Sequence, residues 1–254
     1  MMQASFSGKA ALIAQQERMA TIGNNVANVN TIGFKSRGVS FKDALYTTMT
    51  RPEDPQTMNL QKGSGVIVSA TGYDFSAGAP EVTENPLDVM IEGEGFFMVE
   101  NQRGEVQYTR DGMLSISVEE GGRYLTTAGG RYMLDEAGRR IRLPNDAQTS
   151  TLSISETGEL PLADDENFAR LGLVSFPNQY GLEAAGHNCY AQSAASGAPQ
   201  AAAGTVVRQG YLEASNVDMA EQMTQMIRAS RAYSFASRVV SVADQMDGIA
   251  NDMR

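Results

Sequence analysis

The chain has 254 residues, enough to bury a substantial core in one or two domains, with an ordinary globular composition of 42% hydrophobic and 20% charged residues. A net charge of −10 argues against wrapping nucleic acid, which needs clustered Lys and Arg. One cysteine excludes an intrachain disulfide or a CxxC metal clip, and one histidine leaves little for acid–base catalysis.

The charge is unevenly spread. Residues 1–37 are net basic, residues 208–254 are close to neutral, and the middle carries a net charge of −12. Ends that pack and a centre that faces water give this distribution, although an acidic surface also serves solubility alone. The longest apolar run near the start is Ala10–Ala14, short of a secretory signal, and no segment approaches the ~18–20 apolar residues of a membrane span. Any export is therefore expected to proceed without a cleaved signal.

In chain order, residues 1–33 read as an N-terminal assembly helix. Leu12, Met19 and Val26 recur every seven residues, and Ile22 and Val29 fill the alternate seam position. Gly8 and Gln15 are weak points on the same seam. Asn28, Asn30, Thr31 and Gly33 supply turn and left-handed conformations that end the helix. Residues 34–65 read as an extended or loop connector. Val39, Phe41, Ala44 and Leu45 suit a short strand or helical turn, and Met49–Lys62, with Pro52 and Pro55, reads as a loop.

Residues 66–192 read as a central all-β domain. Short runs at 66–68, 89–91, 96–99, 106–108, 113–118, 131–134, 152–154 and 171–174 alternate with Gly, Asn or Asp, the spacing of a sandwich or barrel-like sheet. Residues 193–214 read as a linker and re-entry segment, in which Ser193–Gly204 is a loosely packed tether of small residues. Residues 215–254 read as a C-terminal assembly helix, with Ser215 and Asn216 as cap residues and Asp218 at its positive end. Two apolar stripes run along it. One is Met219, Met223, Met226, Ser230, Tyr233, Ser237 and Val240; the other is Phe235, Val239, Val242, Met246, Ile249 and Met253. A helix that is apolar on two sides suits contact with both the N-terminal helix and a neighbouring subunit, or one closed intramolecular bundle. The expected class is α+β: terminal helices forming a coiled-coil layer around a central all-β domain.

Catalytic chemistry finds little support. His187 and Cys189 are i, i+2 neighbours, whose side chains point apart, and no G-x-S-x-G elbow occurs. Gly63-Ser64-Gly65 and Gly93-Glu94-Gly95 do not complete a dinucleotide loop and read as strand turns. Asp164-Asp165-Glu166 lacks calcium-loop spacing, and Asp111-Gly112 between two β runs is first a hairpin signal rather than an Arg110–Asp111 site. The methionines between 219 and 253 suit a promiscuous binding face or helix packing equally. No catalytic, cofactor or metal residue is assigned, and the chain is not read as an enzyme.

Three stretches carry a resemblance. Met19–Lys35 reads MATIGNNVANVNTIGFK; Leu87–Gly112 holds LDVMIEGEGFFMV and YTRDG, with LTTAGG following; Gln209–Tyr233 holds QGYLEASNVD and MTQMIRASRAY. In this order they resemble the N-terminal, central and C-terminal boxes of the bacterial flagellar basal-body rod and hook family, across nearly the whole chain. The resemblance implies a structural subunit of an axial tube that transmits torque and conducts exported subunits. Its terminal helices would form an inner coiled-coil layer, with the β domain outside. It also implies partners: further copies of the chain in a helical homopolymer, other rod and hook proteins, and the flagellar export apparatus, with no nucleic acid and no small-molecule substrate. Its implied location is the periplasm-spanning rod. Asn24, Asn25, Asn28 and Asn30 would hydrogen-bond backbone where one subunit's helix end meets the next. Gly33 would permit the chain reversal, Phe34 would anchor the exit, and alternation would bury one of Phe96 and Phe97.

The expected assembly interface is thus Leu12, Met19, Ile22, Asn24, Asn25, Val26, Asn28, Val29, Gly33 and Phe34 from the first helix and its exit. Met219, Met223, Met226, Ile227, Tyr233, Val240, Met246 and Ile249 complete it from the last. Within the family the sequence looks nearest the distal-rod type, with a proximal-rod or hook-type paralogue as the alternative. Outside the family, the competing classes are a non-polymerising coiled-coil adaptor and, more weakly, a β-domain hydrolase with helical dimer arms.

Overall fold

The computed structural model describes residues 2–49, 60–119, 122–144, 152–161, 168–202 and 204–253. The proline-bearing loop and the Asp164–Glu166 run fall outside them. The fold is α+β and divides into two compact units.

The first unit comprises Met1–Ala27, Arg37–Tyr73 and Asp218–Arg254. Its helices are α1, Met2–Ala27, and α2, Met219–Asp252. The N-cap of α2 is Asp218, whose carboxylate accepts from Ala220 N at 2.8 Å and Glu221 N at 3.2 Å. Two of the four unpaired amides of the first turn are thereby satisfied, and negative charge sits at the positive end of the helix dipole. Ser215 and Asn216, the expected caps, do other work: Ser215 Oγ accepts from Val217 N, and Asn216 ties loop segments together.

The helices run antiparallel, with Gly8 against Val240 and Asn25 against Gln222. A Cβ on Gly8 would lie 2.6 Å from Val240 Cγ2, so what looked like a weak seam point is a place of close contact between the helices. On its other side α1 packs on an antiparallel ribbon of Arg37–Asp43 with Val66–Tyr73, where Ala14 is buried. Tyr46–Met49 pairs with Leu60–Gly63 beyond it. The stretch expected as a connector over 34–65 therefore holds three strands. The run beginning at Val66, expected in the central β domain, pairs with one of them. The reason is hydrogen bonding: a polar connector of that length satisfies its backbone in a ribbon.

The second unit comprises Asn28–Ser36 and Asp74–Val217. Its main sheet runs in the order Arg142–Leu143, Gly122–Thr127, Tyr132–Met133, Phe96–Glu100, Val106–Thr109, Cys189–Ala191 and Glu183–Gly186, antiparallel throughout. Leu114–Glu119 joins Gly122–Thr127, and Leu173–Ser175 joins Phe96–Glu100. Phe96 and Phe97 are both fully buried, against the expectation of one. They leave opposite faces of a strand covered on both sides. Phe97 enters the aliphatic core with Val89, Leu125, Met133 and Leu171. Phe96 enters an edge-to-face aromatic cluster with Phe75, Phe176 and Tyr190.

Two other expectations shift. Leu152–Ile154 is not a strand: Leu152 and Ile154 are buried on an extended segment whose backbone bonds the Gln209 side chain instead. The expected tether is packed, with Ser196 fully buried and Gln200–Ala201 paired to Leu173–Ser175. Small residues there permit close approach rather than looseness; a Cβ on Gly181 would meet the Ala195–Ser196 backbone at 2.5 Å. Nor is Asp111-Gly112 a hairpin, because Val106–Thr109 and Leu114–Glu119 pair with different strands.

Candidate assembly surfaces and the buried ion cluster

Inside the second unit, residues from three distant parts of the chain meet at one carboxylate. Lys35 Nζ donates to Glu213 Oε1 at 2.6 Å, and Arg110 lies 3.3 Å from Glu213 Oε2; the three side chains are 1–3% exposed. Backbone groups supply further partners: Lys35 donates to Ser76 O at 2.7 Å, Arg110 to Gly93 O at 2.8 Å, and Gly78 N donates to Glu213 at 2.9 Å, while Arg110 Nε is left without a hydrogen-bond partner. Arg110 also stands 5.4 Å over the Phe96 ring. Two cations share one anion, and burial, helped by Arg110, pushes the Lys35 ammonium below its ordinary pKa against the pull of Glu213.

The surroundings fix this geometry. Gly33, φ +64°, makes the turn before Phe34 and Lys35, donates to Glu213 O at 2.8 Å, and has no room for a Cβ beside the Arg110 backbone. Asn216 accepts from Ser36 N at 2.7 Å and donates to Asp74 O at 2.8 Å. Each charge comes from a different sequence box: Lys35 ends GFK, Arg110 lies in YTRDG, and Glu213 in YLEASN. The three charged side chains are sealed from water. Three segments distant in the chain are tied at one carboxylate, the geometry of a clasp. Sequence reading assigned none of the three a role, setting aside an Arg110–Asp111 site as a hairpin signal, since pairings 75 to 178 positions apart leave no local signal.

In the first unit the seam between the helices is made by small residues. Gln222, Ala229, Ala236 and Ala243, seven apart, are the buried positions of α2. The larger apolar residues predicted from heptad spacing flank them. At about 100° per residue the Met219–Val240 stripe lies roughly 80° to one side of the alanines and the Phe235–Met253 stripe roughly 110° to the other. Met219, Met226 and Val240 are half-buried, whereas Met223, Ile227, Tyr233, Met246 and Ile249 are exposed. On α1, Ile22 is buried, Leu12, Met19 and Val26 are half-buried, and Asn24 is exposed. Asn25 is buried and committed within the chain: it clasps both backbone groups of Arg37 at 2.9 Å and donates to Gln222 at 3.1 Å. In the second unit, Asn28 and Val29 are half-buried and Gly33 and Phe34 buried. His187 is exposed and Cys189 buried, with burial raising the thiol pKa.

Large exposed apolar patches are characteristic of interaction surfaces. Residues 7–35 match the flagella basal body rod protein family, 90–161 the flagellar hook protein FlgE/F/G D1 domain, and 208–253 the flagellar basal body rod FlgEFG protein C-terminal family. The chain is 35% identical over 272 residues to the flagellar basal-body rod protein FlgG of Borreliella burgdorferi, covering 100% of this chain and 99% of the relative. It is 34% identical to FlgG of Caulobacter vibrioides, with both chains covered in full. The chain belongs to the flagellar basal-body rod and hook family. The flagellar hook-basal body complex protein FlhP of Bacillus subtilis is also similar, at 28% identity over both full lengths. Within this rod family the ion cluster gains meaning, because Lys35 and Glu213 lie in the segments matched at the two ends and Arg110 in the hook-type D1 segment. Among the described residues no helix is long and apolar enough to cross a membrane.

Proposed function

We propose that this chain is a structural subunit of the flagellar basal-body rod, in its distal part, where copies stack into an axial tube that transmits torque and conducts exported subunits. The observation that carries the reading is the exposed apolar stripe on α2 in a chain that matches FlgG relatives from end to end. Leu12, Met19, Val26, Met223, Met226, Ile227, Tyr233, Met246 and Ile249 face neighbouring subunits in this reading. Ile22, Asn25, Gly33 and Phe34 shape the subunit from within. The chain acts by assembly and not by turnover, reaches the rod through the flagellar export apparatus, and contacts other rod and hook proteins at its two ends. Full-length similarity to FlhP favours a second reading, an accessory hook-basal-body paralogue with the same contacts. Electron microscopy of basal bodies from a strain lacking this gene separates the two. A missing outer rod with the inner ring intact supports the distal-rod subunit; an unchanged rod and hook removes it and leaves the paralogue.

A further inference from the structure

The first unit carries two free apolar surfaces that share no residue. One is the α2 stripe of Phe235, Val239, Val242 and Met246, spaced 4-3-4 with Arg238 at its edge. The other is a groove of about 450 Å³ between α1 and the ribbon, lined by Ala10, Ile13, Ala14, Glu17, Val66 and Val68. Ile13 is 53% exposed and Phe235 70%, so water reaches both. Rotation about each helix places the groove face roughly 130° from the α1 seam and the stripe roughly 110° from the α2 seam. The intramolecular contact, made through Gly8 and the alanines, thus leaves both faces unfilled.

The surfaces match in shape and charge. On the α1 side the small Ala10 and Ala14 leave space beside Ile13, opposite Val66, Ile67 and Val68, and the stripe presents large side chains at the spacing of knobs entering holes. Of the residues lining the groove, Glu17 is the one that carries a charge. The stripe's charge is the Arg238 guanidinium.

We infer that the α2 stripe of one copy seats in the α1–ribbon groove of the next, with Arg238 of one facing Glu17 of the other. The inference rests on the reading of the chain as a self-assembling rod subunit and specifies which surfaces meet. A contact between two different patches of one chain is head-to-tail, and repetition gives an open helical assembly rather than a closed dimer.

The test places Ile13→Cys and Val239→Cys in one full-length chain, with Cys189→Ser, and oxidises isolated basal bodies. A ladder of dimers, trimers and longer species on a denaturing gel is the expected result, with none from either cysteine alone. Monomer only, a product that stops at dimer, or a cross-link solely to a different flagellar protein overturns the inference. Absence of the unsubstituted chain from basal bodies instead overturns the rod reading. In a second arm, Glu17→Arg and Arg238→Glu each abolish motility and the two together restore it. Full motility in both single variants counts against the pairing while leaving the rod reading intact.

Discussion

Glu213→Gln tests the clasp most directly. The substitution keeps the size of the side chain and an acceptor for Lys35 Nζ or Gly78 N, now 2.6 and 2.9 Å from Oε1, but removes the only carboxylate in the cluster. Lys35 and Arg110, 1% and 3% exposed, then face one another with only the weaker pull of Asp74 on Lys35 as counter-charge. Stranding a buried ion in this way costs about 3–5 kcal/mol, a large share of the ~5–15 kcal/mol that holds a domain together. At about 2–4 °C per kcal/mol for a chain of this size, the thermal midpoint of the β-rich unit falls by roughly 6–20 °C. Near-ultraviolet circular dichroism follows that transition through the tyrosines of the aromatic clusters. The triple variant Lys35→Met, Arg110→Met, Glu213→Leu recovers most of the loss, because an apolar replacement of matched volume strands no charge. A midpoint lowered by less than about 2 °C in Glu213→Gln refutes the reasoning, since it means water reaches the cations. A triple variant no more stable than the single one refutes the balance of charges as the cause.

Other outcomes follow from the same geometry. Gly33→Ala forces a Cβ into a φ of +64° and within 2.8 Å of the Arg110 backbone, so chemical denaturation shows a loss above the ~1–2 kcal/mol of left-handed strain alone. Met226→Asp or Ile227→Asp blocks assembly, read as loss of motility, and leaves the near-ultraviolet spectrum unchanged; normal flagella from either variant contradict the surface assignment. Burial raises the Asp111 carboxyl above its ordinary pKa, with Asp88 adding to the effect. The folded form therefore binds that proton more tightly, and stability attributable to Asp111 falls as pH rises from the unfolded value through the folded one. Asp111→Asn accordingly raises the thermal midpoint at pH 7, and the gain shrinks as pH drops toward the ordinary carboxylate range. A gain independent of pH assigns the effect to packing instead.

Local signals were strong where one segment carries its own instructions. Seven-residue spacing and Asp218 mark α2, Gly33 marks the turn after α1, and short β runs between Gly and Asn mark several strands of the second unit, among them Val89–Glu92, Phe96–Glu100, Val106–Thr109 and Leu114–Glu119, because periodicity and turn chemistry are written within a few residues. The boxes around Asn25, Arg110 and Glu213 carry the family in the same way. Partnership is not local. Heptad spacing identifies which residues share a helix face but not which face meets its own chain. In the fold, Gly8 meets Val240 and the buried positions of α2 are Gln222 and three alanines, which leaves most of the larger side chains outside. Pairing of Arg37–Asp43 with Val66–Tyr73 likewise turns a polar connector into a ribbon. Lys35, Arg110 and Glu213 read singly as surface charges, the usual place for such residues. Only the folded chain brings them together in a dry interior, where each is tolerated because the others are present.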